Sequence, residues 1–333
     1  MTRPANRSPR WIASYPGLAA VLVPLSEQVL ALWRGRRRSQ TFLVVGSLAM
    51  LVLGVSCGIA WLVTGDSWTA AVSWRKPTVF GFSFAVTGLA LAAVHRALRP
   101  GALSALTCIG FAAGALVETA VITVQRWRGV PSHFNNATPL DSRLFGAMGA
   151  AILVIALAIL ITTVRAFRRT SLPAGMALAV RAGLVLLVIG QALGAAIIQH
   201  GSAKVAADPA AIDTASVVGA AGQLKVPHAV ALHGVQVLPV LAWLLSAVAI
   251  TEARRVQIVA TAALGYAGLV AVSALQAFRG AAPVPAGLTD TVIAGLSIAL
   301  LVVAAAWTAR QLWRTAQAAG SAHPGGAGVA RSA

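Results

Sequence analysis

Acidic residues are scarce in this 333-residue chain. Asp and Glu together number 8 against 26 Lys and Arg, and charged residues of both signs make up 10% of the sequence. A soluble domain carries about 25% charged residues, so this figure excludes an ordinary water-soluble protein. Cysteine is nearly absent: Cys57 and Cys108 make neither a disulfide framework nor a CxxC metal pair. Walker, Rossmann, nucleophile-elbow and HExxH patterns are missing, which disfavours nucleotide binding and the soluble enzyme classes. Lysine is confined to Lys76, Lys204 and Lys225.

What is abundant is apolar. Hydrophobic residues make up 58% of the chain, and the mean hydropathy is +0.81. They fall in blocks of about 20 or more, enough to cross a bilayer core. Eight such blocks cover 41–64, 78–98, 102–125, 144–167, 177–199, 229–250, 256–278 and 288–309. Backbone groups in lipid must be satisfied internally, and the blocks lack the alternation of barrel strands. The expectation is an all-α integral membrane protein with eight transmembrane helices.

The net charge of +18 would point to nucleic acid in a soluble chain. Here the basic residues lie between apolar blocks, so the partner is the lipid bilayer and no nucleic acid is expected. The sequence names no protein partner. Residues 1–40 read as a basic cytoplasmic tail with an interfacial amphipathic helix. Its apolar stretch, 18–33, is short, is interrupted by Pro24, Glu27 and Gln28, and is followed by Arg34, Arg36, Arg37 and Arg38. An interfacial helix with a basic anchor fits this better than a ninth span or a cleaved signal peptide. Residues 41–310 form the transmembrane domain, and 311–333 read as a disordered cytoplasmic tail.

With eight spans, 17 basic residues fall on the side of the termini and eight on the other, Arg181 lying within a span. The positive-inside rule then puts both termini in the cytoplasm, in a plasma or inner membrane. Offsets between the halves admit an internal duplication, 41–170 and 177–316. Gln125-Arg-Trp-Arg128-Gly129 matches Gln276-Ala-Phe-Arg279-Gly280, 151 positions on; Lys76 matches Lys225 and Asp141 matches Asp290, each 149 on. A weaker match pairs Gly46 with Gly190, 144 on. The expected form is a 4+4 parallel repeat about an axis along the membrane normal. Gln, Arg, Gly, Pro and Asp commonly decorate helix ends, so chance matches stay open beside it.

Unusual polar residues gather on the outward side. Glu118 lies about 10 Å below the outer end of its span and His233 about 7 Å below the start of its own, with Gln236 one turn deeper. An ionised Glu at such depth costs roughly 2.5–3.5 kcal/mol, so Glu118 is expected to be paired or protonated. Glu118 and His233 form a candidate catalytic pair in one polar layer. Gln125, Gln236, Lys76, Arg126 and Arg128 are candidates for holding a cofactor or substrate. His133, His200, His228 and His233 are candidate ligands for a transition metal or haem, since neutral imidazole ligates both.

Each assignment has a plainer counterpart. Glu118 can make a helix–helix hydrogen bond, the histidines can sit at the interface, and Arg126 and Arg128 can snorkel to Asp66 and Asp141. His95, beside Arg96, reads as interfacial, and Trp68, Trp74 and Trp127 read as aromatic-belt anchors.

The segments KPTVF, ETAVITVQRWRGVPSHFN and KVPHAVALHGVQVLPVLAW resemble an uncharacterised family of bacterial multi-pass membrane proteins, across most of residues 41–310. The resemblance implies the membrane topology and carries no substrate, cofactor or reaction. Three function classes remain open from sequence: redox or hydrolytic chemistry at a metal or haem in an outward polar cavity, transport or solute binding, and a structural or assembly role.

Overall fold

The computed structural model describes residues 15–216, 221–282, 284 and 287–321. Arg3, Arg7 and Arg10 of the basic tail, and the Gly-rich end expected beyond Ser321, lie outside the described residues. Among the described residues there is no strand, and nine helices are long and apolar enough to cross a membrane. They are α1 (Pro16–Arg34), α2 (Arg38–Thr64), α3 (Arg75–Arg96), α4 (Ala102–Trp127), α5 (Pro139–Arg168), α6 (Ala174–Ala207), α8 (Lys225–Ser246), α9 (Glu252–Phe278) and α10 (Leu288–Ser321). A short helix α7 (Ile212–Ser216) lies between α6 and α8. Residues 311–321, read from sequence as disordered tail, continue α10, because Ala, Gln, Arg and Leu keep forming helix after the apolar run ends.

Local chemistry sets the helix ends. Thr138 caps α5 by accepting from the Asp141 amide at 3.2 Å, with Pro139 at the first helical position. Thr251 caps α9 in the same way through the Arg254 amide, at 3.3 Å. Gly129 and Gly280, after α4 and α9, have φ of 71° and 70°, a left-handed turn that glycine adopts without strain.

Helix pairings recur along the chain. Helix α2 packs on α3 and α4, and α4 packs on α5; α6 packs on α8 and α9, and α9 packs on α10. The two sets meet where α3 lies beside α8 and α5 beside α6. Details recur as well. Helices α3 and α8 each have 22 residues and carry Pro77 and Pro227 at their third position. Beyond α4, the Val130 amide donates to Gln125 O at 3.1 Å; beyond α9, the Ala281 amide donates to Gln276 O at 2.9 Å. Ion pairs Arg128–Asp141 and Arg279–Asp290 follow these two turns.

Glycine spacing explains the tightest pairs. Gly54 and Gly58 seat α2 on Phe82 and Thr78 of α3, while Gly190 and Gly194 seat α6 on Leu232 and His228 of α8. Both are small-xxx-small faces that let backbones approach. The residues doing the same job are therefore 136 apart. Gly46, matched by sequence to Gly190, faces Ala112 of α4 instead.

Two apolar clusters form the core: one around Leu43, Met50, Phe111 and Ile155, which also takes in Leu184, Leu187 and Val235 of the second set, and one around Leu238, Leu245, Val259 and Tyr266. Outside these cores, Leu62, Leu106, Leu153, Leu264 and Leu296 are exposed. So large an apolar surface suits lipid rather than water.

The end of the bundle where α3, α5, α8 and α10 finish is rich in arginine and is called the basic end below; their starts define the far end. Helix α1 touches the basic end along its whole length. Its Gly17 abuts Ala316 of α10. Gln28 Nε2 donates to Ser246 Oγ at the end of α8, at 3.1 Å, and the Gly35 carbonyl accepts from Arg96 at the end of α3. Leu18, Val29 and Trp33 of α1 are exposed.

Candidate functional site

The connection from α4 to α5 turns inward. Ser132, His133, Phe134 and Asn135 are all buried, which is unusual for a loop, because buried backbone polar groups need partners. Asn135 supplies some of them: its Nδ2 donates to Pro131 O at 3.2 Å and its Oδ1 accepts from the Ala137 amide at 3.1 Å. Phe134 has φ of 62°, the only non-glycine in the left-handed region among the described residues. Such strain, of order 1–3 kcal/mol, persists only where the surroundings enforce it. Here the Phe134 ring fills the space that a side chain on Gly201 of α6 would take.

This inward loop delivers His133 to Glu118. His133 Nε2 lies 3.4 Å from Glu118 Oε1, and Ser132 Oγ lies 3.1 Å from His133 Nδ1. Rings of Phe80, Phe134 and Phe145 surround the imidazole, with centroids at 5.9, 6.1 and 6.1 Å. Burial above all, with the charges of Lys76 and Lys225, holds the His133 pKa well below the ordinary histidine range. With Nε2–H directed at Glu118, the neutral ring accepts from the Ser132 hydroxyl at Nδ1, the tautomer that suits both contacts.

Glu118 itself is 1% exposed, and its Oε2 is buried without a hydrogen-bond partner among the described residues. Lys76 acts on it electrostatically from the first turn of α3. Lys76, Ser73, Arg126 and Ser132 line a small cleft of about 10 Å³, room for one water.

A second cluster closes the same end. Asp141 accepts from Gln125 Nε2 at 3.0 Å, from Thr138 Oγ1 at 2.6 Å and from the Arg128 guanidinium. Arg126 pairs with Asp66, and its guanidinium carbon lies 4.8 Å from the centre of the Trp74 ring. Arg126 and Arg128 thus meet the two counter-charges that sequence offered as their plainer role. Gln125, a candidate cofactor ligand, serves as a tie between α4 and α5.

The fold brings together only part of the expected set. His233 is exposed on α8 and shares no contact with Glu118 among the described residues, so the single Glu118–His233 layer is not formed. The period of α8 explains this: Leu232 and Val235 turn toward α6 and the core, which leaves His233 on the outer face. Gln236 meets Thr87 of α3 at 3.1 Å, joining the two sets of helices instead of lining a cavity with Gln125. His228 Nδ1 lies 2.7 Å from Gly190 O, and exposed His200 lies 2.8 Å from Ala196 O. No three His, Cys, Asp or Glu converge among the described residues. The four-histidine metal or haem set of His133, His200, His228 and His233 is therefore not assembled, since each ring is held on a different element or exposed.

Sequence reasoning missed His95. It is 1% exposed and meets Ser104 Oγ at 3.0 Å, Thr162 Oγ1 at 3.3 Å and Thr107 Oγ1 at 3.4 Å. These hydroxyls, set in apolar runs, were the available signal for a buried imidazole. Comparison with protein-family models, curated proteins and solved structures gives no match to this chain.

Proposed function

We propose that the chain is an eight-span protein of a plasma or inner membrane that moves protons through Glu118 and His133 as part of a transport cycle. The observation that carries this reading is a continuous line of groups. The water-sized cleft beside Lys76 meets Ser132, Ser132 meets His133 Nδ1, and His133 Nε2 faces Glu118. An imidazole relays a proton by taking one at Nδ1 and releasing one from Nε2. Glu118 is a fitting acceptor, because one carboxylate oxygen faces the imidazole and the other has no hydrogen-bond partner among the described residues. Ionisable groups inside membrane proteins mark proton relays and solute paths by default.

Eight spans are favoured over nine by α1, whose beginning, middle and end all contact the basic end. As an interfacial helix it keeps both termini on one side, which the excess of arginine assigns to the cytoplasm. The recurring pairings support two four-helix repeats, α2 to α5 and α6 with α8 to α10, an arrangement common in transporters. The resemblance of the KPTVF and KVPH segments to bacterial multi-pass proteins belongs to the same reading.

The test is infrared difference spectroscopy of detergent-solubilised protein through a pH titration. A protonated-carboxyl band that vanishes in Glu118→Gln and shifts in His133→Gln is the expected result. Spectra unchanged in Glu118→Gln overturn the relay. Proteoliposomes with a trapped pH dye then report which solute gradients drive proton movement.

A further inference from the structure

At the basic end, a cleft of about 210 Å³ opens between the α3–α4 connection and the end of α5. Leu98, Arg99, Arg165, Arg168 and Arg169 line it. Four guanidiniums around one cleft repel one another, and among the described residues none has a carboxylate partner. Glu252, an acidic residue of the same end, is already held by Arg255 and the Gly175 amide. Arg165 is anchored: its Nη2 donates to Arg99 O at 2.5 Å. Its Nη1 is buried and has no hydrogen-bond partner among the described residues. That donor is fixed in place and lacks an acceptor.

We propose that this cleft binds the phosphate of an anionic phospholipid headgroup. Arginine forks match phosphate oxygens with paired hydrogen bonds, which is the chemistry that four guanidiniums without a carboxylate partner among the described residues call for. The volume suits a headgroup and is below the roughly 300–1,000 Å³ of a site that engulfs a whole small molecule. The source of the phosphate follows from α5. Leu160, Val164 and Phe167 are exposed along one face of that helix and lead directly to Arg168. An acyl chain lies on that stripe when the headgroup sits among the arginines. Basic pockets beside transmembrane helices recognise headgroups in this way.

The test uses native mass spectrometry and thermal unfolding of the full chain in neutral detergent. Phosphatidylglycerol and cardiolipin are the probes, with phosphatidylcholine, inorganic phosphate and glycerol phosphate as comparisons. The double variant Arg168→Gln/Arg169→Gln removes two exposed cleft charges and leaves the Arg165–Arg99 bond intact. Arg310→Gln/Arg314→Gln removes the same charge from α10, outside the cleft. The expected result is retention and stabilisation by the anionic lipids, weakened at least tenfold in the cleft variant and kept in the α10 variant. Equal loss in both variants, or equal stabilisation by phosphatidylcholine, overturns the proposal. Equal stabilisation by inorganic phosphate overturns the lipid as the source and leaves a site for free phosphate.

Discussion

His133 Nε2 faces Glu118 Oε1 at 3.4 Å, although the two residues sit on different elements and only an inward-folded loop joins them. Removing the proton-binding capacity while keeping the shape separates a relay from a structural contact. Glu118→Gln is expected to change stability by less than about 1 kcal/mol, because the amide oxygen still accepts from the imidazole. Any proton-linked activity is expected to fall to background in the same variant. Differential scanning fluorimetry and proteoliposome flux, run on one preparation, check both halves. Loss of stability with activity per folded molecule unchanged is the outcome of a structural contact.

The pH dependence of stability follows from His133. Its folded pKa lies below its unfolded value of about 6.5, so the unfolded chain binds the extra proton in acid. The stabilisation is complete above the unfolded pKa and declines as pH falls below it. His133→Gln is expected to flatten this decline by up to one proton. Unfolding midpoints in detergent between neutral and mildly acidic pH measure the slope, and an unchanged slope removes His133 as its origin.

Asp141 and Asp66 both pair with arginine, yet their removal should differ. Asp141 has a side chain only 3% exposed and also holds Gln125 and Thr138, whereas the Asp66 side chain is 24% exposed. Truncating Asp141 strands the buried Gln125 amide and the Thr138 hydroxyl as well as Arg128, so Asp141→Ala is expected to cost clearly more than Asp66→Ala. Asp66→Ala is expected to cost about 1 kcal/mol or less, as for a solvent-screened pair. Equal shifts in unfolding midpoint refute this ordering.

The helix-packing glycines give a further contrast. A Cβ on Gly81 would lie 2.7 Å from Gly54 Cα and 2.8 Å from Met50 O, while one on Gly146 meets nothing within 4 Å. Backbone atoms cannot rotate aside, so Gly81→Ala is expected to destabilise by about 1–3 kcal/mol. Gly146→Ala is expected to be neutral or to stabilise by up to about 1 kcal/mol, through helix propensity. Thermal unfolding of the two variants decides it.

The sequence carried the helices more fully than the site. Apolar runs are read residue by residue, so the long apolar helices and the arginine-rich end follow from local composition. Partners across helices do not. Glu118 meets His133 rather than His233 because Gly129, Pro131 and a strained Phe134 fold the loop inward, and no periodicity announces that turn. His95 looked interfacial beside Arg96, but its partners come from two other helices. The faces Gly54–Gly58 and Gly190–Gly194 were present in the sequence, hidden among 31 glycines with no local mark of which ones touch a neighbour.

The number of spans is open to direct measurement. Both native cysteines, Cys57 and Cys108, are buried, so thiol reagents give a low background in intact cells. If α1 lies across the basic end, single cysteines at Ser26 and at Gln317 are on the same side, because an even number of spans separates them. A membrane-impermeant maleimide is then expected to spare both until the membrane is opened. A ninth span through α1 would put the chain preceding Pro16 outside, so a cysteine at Arg10 would label in intact cells while Gln317 stays protected. The reagent has to reach a residue placed before α1, since the membrane shields a cysteine within the helix from the outside in either arrangement. Labelling of Arg10→Cys in intact cells, with Gln317→Cys protected, overturns the eight-span reading and with it the shared side of the termini.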